Sequence, residues 1–321
     1  MDVECPICNR KHQMVLLIKD VEGIVNDFHV LYCKMCKVGF TTPFPSSTEI
    51  SSLYSSGSYR ADSGKRFVGV VETMITFSRR LRRQRIEKYI EKGRILDIGC
   101  GRGVFLDEMR KHGWEVAGTE YNEDTAKSIN EIYDIHVVTG NPGDWGFPPE
   151  SFDVVTMNHV LEHMSAPEKA IDECSKVLRE GGLLVVAVPN ITSLQSIIGK
   201  HLWFHLDIPY HIYHFSEMGL SSLIEKHGFH LLRIRRFDFE YNPFGWLQTL
   251  LNVTGIRKNL LYDLLKNVKT RNISISNVSK WHLLATIVLI PVYLPLSLFL
   301  SLFESSILKN GGTTEIHAVK T

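Results

Sequence analysis

Residues 94–103, Arg-Ile-Leu-Asp-Ile-Gly-Cys-Gly-Arg-Gly, constrain the fold more than any other stretch of this 321-residue chain. Ile95, Leu96 and Ile98 make a short apolar run suited to a buried parallel strand. Three glycines follow at alternate positions, and Val104 to Lys111 continues as a helix pattern ending at His112-Gly113. The glycines let backbone N–H groups approach a ligand closely, and the helix N-terminus adds partial positive charge.

The ligand class narrows from there. A dinucleotide fingerprint, G-x-G-x-x-G, would need a glycine where Val104 stands, and the Gly-Lys-Ser/Thr of a phosphate-binding loop is absent. What stands is D-x-G-x-G-x-G. An acid two residues before the first glycine, Asp97, suits a ligand with a positive amino group more than a pyrophosphate.

Around this turn, residues 94–190 alternate strand and helix patterns, which predicts a doubly wound α/β domain. Strands are expected near 94–99, 114–119, 135–139, 152–157 and 183–188. Helices are expected near 103–112, 122–133 and 167–179, the last stopped by Gly181-Gly182. Glu120 ends the second strand about 20 residues after the glycine turn, where an acid accepts two hydrogen bonds from a ribose diol. The competing reading is an acid that caps the helix at Asn122. Asp144 and Trp145 follow the third strand, where a polar side chain bonds an adenine amino group and an apolar one covers the ring.

From Ile95-Leu-Asp-Ile-Gly-Cys-Gly through Ser151-Phe-Asp-Val-Val, His159-Val-Leu-Glu-His163 and Val177-Leu-Arg-Glu-Gly-Gly182, the series resembles class I S-adenosylmethionine-dependent methyltransferases of the type 11/23 group, over about residues 90–240. The resemblance implies a seven-stranded Rossmann-like sheet. It also implies that Asp97, Gly99 and Gly101 hold the methionyl part of the methyl donor, that Glu120 holds the ribose, and that Asn158 lies on the sulfonium side. Gly103 shapes the turn, and the neighbouring Cys100 and Tyr121 are expected at the same pocket. Methyl transfer from a sulfonium is an in-line displacement, so alignment and proton removal suffice and no nucleophilic triad is needed.

Residues 201–216 carry four histidines among aromatics and resemble the family's substrate-side insertion. His211 is the preferred general base and His163 the second; for any one histidine, packing or capping is the competing role. No acid accompanies them in clear ligand spacing, so a metal site is not expected here.

Cys5-Pro-Ile-Cys8 and Cys33-Lys-Met-Cys36 form two C-x-x-C pairs 24 residues apart, a zinc-ribbon pattern. Four cysteines leave no open coordination position, so the expected zinc is structural. The N-terminus has no apolar signal region, which predicts a cytosolic chain with reduced thiols. The expected organisation is a ribbon at 1–42, a Ser/Pro/Gly-rich linker at 43–64, a methyltransferase domain at 65–240, an apolar helical insertion at 241–310, and a final sheet strand at 311–321. In the linker, Tyr54 and Tyr59 are expected to pack on the domain surface or cover the cofactor pocket.

Two further stretches bear on partners. Arg79, Arg80, Arg82, Arg83 and Arg85 crowd one helix; a solvated face is the favoured reading, with anionic lipid or phosphate contact as the functional one. Leu283 to Phe303 carries no charge and is long enough to cross a bilayer. Pro291 and Pro295 interrupt it, and a final strand back in the cytosolic sheet forbids a single crossing, so a re-entrant hairpin or interfacial anchor is expected. An apolar lid or dimer interface is the alternative. Net charge of +1 argues against a bulk polyanion binder.

Together these predict a methyltransferase at the inner membrane face, O-methylating a lipid-linked or hydrophobic acceptor such as an envelope glycan intermediate or a quinone precursor. An RNA methyltransferase is the rival enzyme, disfavoured because Asn158-His159-Val160-Leu161 lacks the Asn-Pro-Pro-aromatic turn. A non-catalytic membrane adaptor on the same fold is the rival of another class, disfavoured by the intact Asp97, glycines and Glu120.

Overall fold

The computed structural model describes residues 3–11, 14–21, 28–45, 67–266 and 278–321. Most of the linker, with Tyr54 and Tyr59, lies outside the described residues. In chain order the first elements are β1 (Met14–Val21), β2 (Phe28–Cys33), β3 (Val38–Thr42) and α1 (Gly69–Ile86). The strand-helix alternation follows: β4 (Arg94–Ile98), α2 (Val104–Lys111), β5 (Glu115–Thr119), α3 (Glu123–Tyr133), β6 (His136–Val138), β7 (Phe152–Asn158), α4 (Pro167–Val177) and β8 (Leu178–Pro189). Then come α5 (Leu194–Gly199), β9 (Tyr213–Phe215), α6 (Glu217–Lys226) and β10 (Phe229–Arg235). The chain ends with α7 (Asn242–Val253), α8 (Leu260–Leu265), α9 (Lys280–Ser306) and β11 (Thr313–Lys320).

Seven strands form one sheet in the order β10-β11-β8-β7-β4-β5-β6. β4 lies between β5 and β7, parallel to both, and β11 runs antiparallel to both β8 and β10. This is the doubly wound, Rossmann-like methyltransferase sheet that the sequence predicts. Ile95, Leu96 and Ile98 are buried because helices cover both faces of a parallel sheet.

A second sheet, β1-β2-β3-β9, takes its fourth strand from residues 213–215, far along the chain. Its Cys5, Leu31, Val38 and Phe40 share one apolar core with Leu96, Val155 and Leu184 of the large sheet. The cysteine-bearing segment is therefore packed into the body rather than tethered beside it.

Three local expectations fail for physical reasons. The third helix ends at Val177, because Leu178 is already extended and pairs with Phe152. Gly181, at φ +70°, and Gly182 instead accommodate an irregularity inside β8, whose next paired residue is Leu183. The arginines of α1 are not a solvated face. Arg79 pairs with Glu240, Arg83 with Glu108 at 3.1 Å, and Arg85 with Glu315 at 2.9 Å; Arg82 is buried and only Arg80 is exposed. The acids that neutralise them arrive from later elements, invisible to a local charge count.

The third correction concerns α9. It is one continuous helix through Pro291 and Pro295, not a hairpin. Its 27 residues span about 40 Å at ~1.5 Å per residue. Apolar packing on α7 and α8 holds one side of the helix around the two positions that lack an N–H. Leu247, Leu251, Leu260 and Leu261 receive Leu283, Leu289, Ile290 and Tyr293, and buried Glu304 accepts from Trp246 Nε1 at 2.9 Å and from the Leu194 amide at 2.6 Å.

Candidate active site

The three turn glycines all adopt left-handed backbone, with φ of +65°, +58° and +70° at Gly99, Gly101 and Gly103. A Cβ on Gly99 would sit 2.5 Å from Val160 Cγ2, and one on Gly103 would sit 2.8 Å from Ile129 Cγ2. A Cβ on Gly101 would meet nothing within 4 Å. The middle glycine thus faces open space above the sheet edge, where ligands of such folds sit.

Asp97 and Glu120 flank this space. Asp97 is buried and accepts from Thr156 Oγ1 at 2.5 Å. Burial pushes its carboxyl up to about 6, against the opposing pull of Thr156 and of Arg82 and Arg79. Glu120 lies across the turn. One carboxylate oxygen accepts the Gly101 amide at 2.9 Å, and the other accepts Tyr121 N–H at 3.0 Å and Asn122 N–H at 3.3 Å. The capping role at α3 belongs to Asn122, whose side chain accepts Thr125 N–H at 2.8 Å.

Arg82 was missed by sequence reasoning. It is 5% exposed, its Nε and Nη2 have no hydrogen-bond partner, and its charge acts on Asp97, Glu315 and His159. A buried guanidinium with two unused donors is costly, and an anionic ligand group would satisfy it.

The other predicted pocket residues differ in how their side chains are placed. The Cys100 thiol packs beside Gly118 with Leu106, because the turn directs that side chain into the core, and its amide donates to Thr119 O at 2.9 Å. Tyr121 has its side chain largely in solvent. Asp144 is exposed at the mouth of its loop. Trp145 is buried in the core, and its Nε1 donates to Gly140 O at 3.1 Å, so its indole is not a free cover for a ring. Asn158 ends β7 half-buried, directly before His159.

Beyond Asn158 lies a cluster of imidazoles around one carboxylate. His159 has φ +55°, a strained left-handed backbone for a non-glycine residue. Its ring stacks on Tyr241 at 3.8 Å, and its Nδ1 is 3.4 Å from Glu162 Oε1. Burial lowers His159 to about 4, despite the raising influence of Asp238. His211 Nδ1 bonds His205 O at 2.9 Å, its Nε2 is 3.9 Å from Glu162 Oε1, and its ring meets His163 edge-on at 4.6 Å. His163 Nδ1 bonds Tyr210 O at 2.9 Å. Both predicted bases therefore stand together, and Glu162 is the acid that spacing did not reveal: donor atoms of Glu162, His163 and His211 lie within 4.8 Å of one another. His205 and His214 are each lowered to about 3 by burial, so both are neutral imidazoles at physiological pH.

The four N-terminal cysteines converge as their spacing predicts. Cys5 Sγ is 3.5 Å from Cys36 Sγ, Cys8 Sγ is 3.7 Å from Cys33 Sγ, and all four lie within 4.8 Å of one another. A tetrahedral zinc with Zn–S bonds of about 2.3 Å would need sulfurs about 3.8 Å apart, which these positions fit.

A family model described as "Methyltransferase domain" matches residues 72–234. The chain is 30% identical over 139 residues to a probable S-adenosylmethionine-dependent methyltransferase of Mycolicibacterium smegmatis, covering 42% of this chain and 51% of that one. It is 30% identical over 181 residues to the ubiquinone biosynthesis O-methyltransferase of Coxiella burnetii, covering 49% of this chain and 73% of that one. The match thus spans about half the length of the mycobacterial relative. Among solved structures, a SAM dependent methyltransferase from Archaeoglobus fulgidus aligns with a TM-score of 0.47 and 25% identity, covering 75% of this chain and 94% of that one.

Proposed function

From the premise that this chain belongs to the class I S-adenosylmethionine-dependent methyltransferases, we propose that it methylates a hydroxyl of a hydrophobic or lipid-linked acceptor at a membrane surface. One arrangement carries this reading: the open space over Gly101 beside Glu120, with Asp97 on the strand that leads into the turn and the unsatisfied Arg82 close enough for its charge to act on Asp97. Asp97 suits the donor's ammonium, Arg82 its carboxylate, and Glu120 its ribose hydroxyls. When bound, S-adenosylmethionine supplies an activated methyl group.

The remaining chemistry belongs to the chain's own residues. Val160 closes against Gly99, so the turn after β7 carries the histidine cluster to the donor site. A neutral imidazole there accepts the acceptor hydroxyl's proton, and Glu162 offsets the charge that the ring gains. Tyr241 lies over His159 and separates it from solvent. The four cysteines hold a structural zinc in this reading, with no open position for chemistry.

Two observations favour a hydrophobic acceptor. One is the likeness to a ubiquinone biosynthesis O-methyltransferase. The other is the polarity of α9, which is reversed from that of a helix in water. Thr286, Ser297, Ser301 and Glu304 face the protein, while Leu284, Ile287, Val288, Val292, Phe299 and Leu302 are exposed. By length and composition α9 is also apolar enough to cross a bilayer, yet its packing along α7 favours lying in the surface of the inner leaflet.

The test is to supply methyl-labelled S-adenosylmethionine and the full-length protein to a membrane lipid extract and, separately, to total RNA. Label in the organic phase, lost when Asp97 is replaced by Asn, is the expected result. Label only in RNA, or in neither fraction, would overturn the acceptor assignment.

A further inference from the structure

The cysteine-bearing sheet does more than pack against the fold, because its edge strand is hydrogen-bonded to the segment that carries the histidines. β3 pairs with β9 over Val38↔Phe215, Gly39↔His214 and Phe40↔Tyr213. A Cβ on Gly39 would lie 3.2 Å from His214 Cβ, so the two strands approach as closely as a glycine allows. At the knuckle itself, Ser216 Oγ donates to Lys37 O at 2.7 Å, and a Cβ on Gly219 would sit 2.9 Å from Cys36 O. The loop closed by Cys33 and Cys36 is thus seated on the start of α6.

Thr41 occupies the centre of this contact. It is fully buried. Its amide donates to Ile212 O at 2.9 Å, and Ile212 N–H in turn donates to Glu162 O at 2.8 Å. Its hydroxyl donates to His211 O at 2.7 Å and is 3.0 Å from His214 Nε2. A hydroxyl has one proton, and the His211 carbonyl takes it. Toward His214 the oxygen accepts, so His214 carries its proton on Nε2. Three residues later than the last metal-type knuckle begins its strand, one side chain therefore sets the backbone of one histidine and the tautomer of another.

We infer that Thr41 is a positioning residue that couples the four-cysteine knuckle to the His211–Glu162 cluster. This inference rests on the reading of that cluster as the acceptor side of a methyltransferase. Zinc in the knuckle holds β3 at a fixed height, β3 holds residues 211–214, and Ile212 holds the Glu162 peptide. The donor pocket stands on β4 and β5 and is outside this chain of bonds. Metal loading then controls the acceptor side without changing the donor side.

The experiment uses full-length, zinc-loaded protein labelled with nitrogen-15 in its histidine rings, comparing wild type with Thr41→Val and Thr41→Ser. Valine keeps the shape and removes the hydroxyl, while serine keeps the hydroxyl. The expected wild-type spectrum shows His214 protonated at Nε2. Thr41→Val shifts the ring signals of both His211 and His214, and Thr41→Ser restores the wild-type pattern. Stripping zinc from the wild type with a chelator moves the same two signals and speeds amide exchange at residues 211–214. S-adenosylmethionine affinity, measured on each sample, stays within about twofold throughout. Unchanged histidine signals in Thr41→Val, a serine variant that behaves like valine, or unchanged signals after zinc removal would each overturn the coupling. Failure of every sample, wild type included, to bind the methyl donor would overturn the methyltransferase reading instead, and the spectra would still report on the bond network.

Discussion

The carboxylate of Glu120 accepts the amide of Gly101 at 2.9 Å, so the acid that ends β5 and the middle glycine of the β4–α2 turn form one unit. The backbone donors on both oxygens hold Glu120 in place before any ligand arrives.

Glu120→Gln places an NH₂ against one of those donors. It is expected to weaken S-adenosylmethionine binding at least tenfold and to cost about 1–3 kcal/mol of stability, the penalty for an unmatched buried polar group. Calorimetric titration and chemical denaturation read the two effects separately.

Asp97 makes the opposite trade. Its carboxyl is raised by burial from 3.8 to about 6, so the ionised form is disfavoured in the fold. Relative stability present below the unfolded value is lost as pH rises through about 6, and the native state then bears about 1–3 kcal/mol of cost. Asp97→Asn is therefore expected to melt higher than wild type at pH 7.5 without ligand, with the difference vanishing by about pH 4. The same variant loses donor affinity, and wild-type affinity falls as the pH drops below about 6. Thermal melts across pH, paired with titrations, check both halves.

Arg82→Met removes a buried guanidinium whose Nε and Nη2 are unsatisfied. The variant is expected to fold with little loss and to bind S-adenosylmethionine at least tenfold more weakly, since a charged hydrogen bond contributes about 1.5–3 kcal/mol. Methylthioadenosine, which lacks the carboxylate, should bind wild type and variant alike. Equal weakening for both ligands would assign Arg82 to general packing.

Ile287→Asp and Phe299→Asp test the outer face of α9, where the two side chains are 66% and 63% exposed. Each is expected to change stability by no more than about 0.5 kcal/mol, as exposed substitutions do. Together they should release the protein from vesicles in a flotation assay. Continued flotation of a folded double variant would exclude α9 as the anchor.

The cysteine knuckle is expected to carry one zinc per chain by elemental analysis. Its removal should lower the melting temperature, because the free energy of metal binding at such a four-cysteine site is also folding free energy. Protein purified under reducing conditions with no metal and an unchanged melt would refute the ribbon assignment.

What was legible in the sequence was local. A glycine turn with its acid, a C-x-x-C pair and an alternating strand each encode geometry within a few residues, and the seven-stranded sheet was implied by the family resemblance of those motifs. What was not legible depended on chain return. Glu240 and Glu315 neutralise α1 from well over a hundred residues away, which turned an apparent surface charge run into buried ion pairs. Glu162 joins His211 only through long-range contacts, the Ile212 N–H bonded to Glu162 O and the His163 ring bonded to Tyr210 O. Trp145 and Cys100 hold the expected positions, but their side chains fill the core, since a position next to a pocket does not fix which way a side chain points. The prolines of α9 predict a break in water, and the helix continues because α7 packs along it.

Calorimetric titration of the purified full-length chain with S-adenosylmethionine probes the methyl-donor pocket over Gly101. Saturable binding at one site per chain, weakened at least tenfold by Asp97→Asn, is the expected result. A folded wild-type protein that takes up no S-adenosylmethionine, or that binds it unchanged after Asp97→Asn, would contradict it.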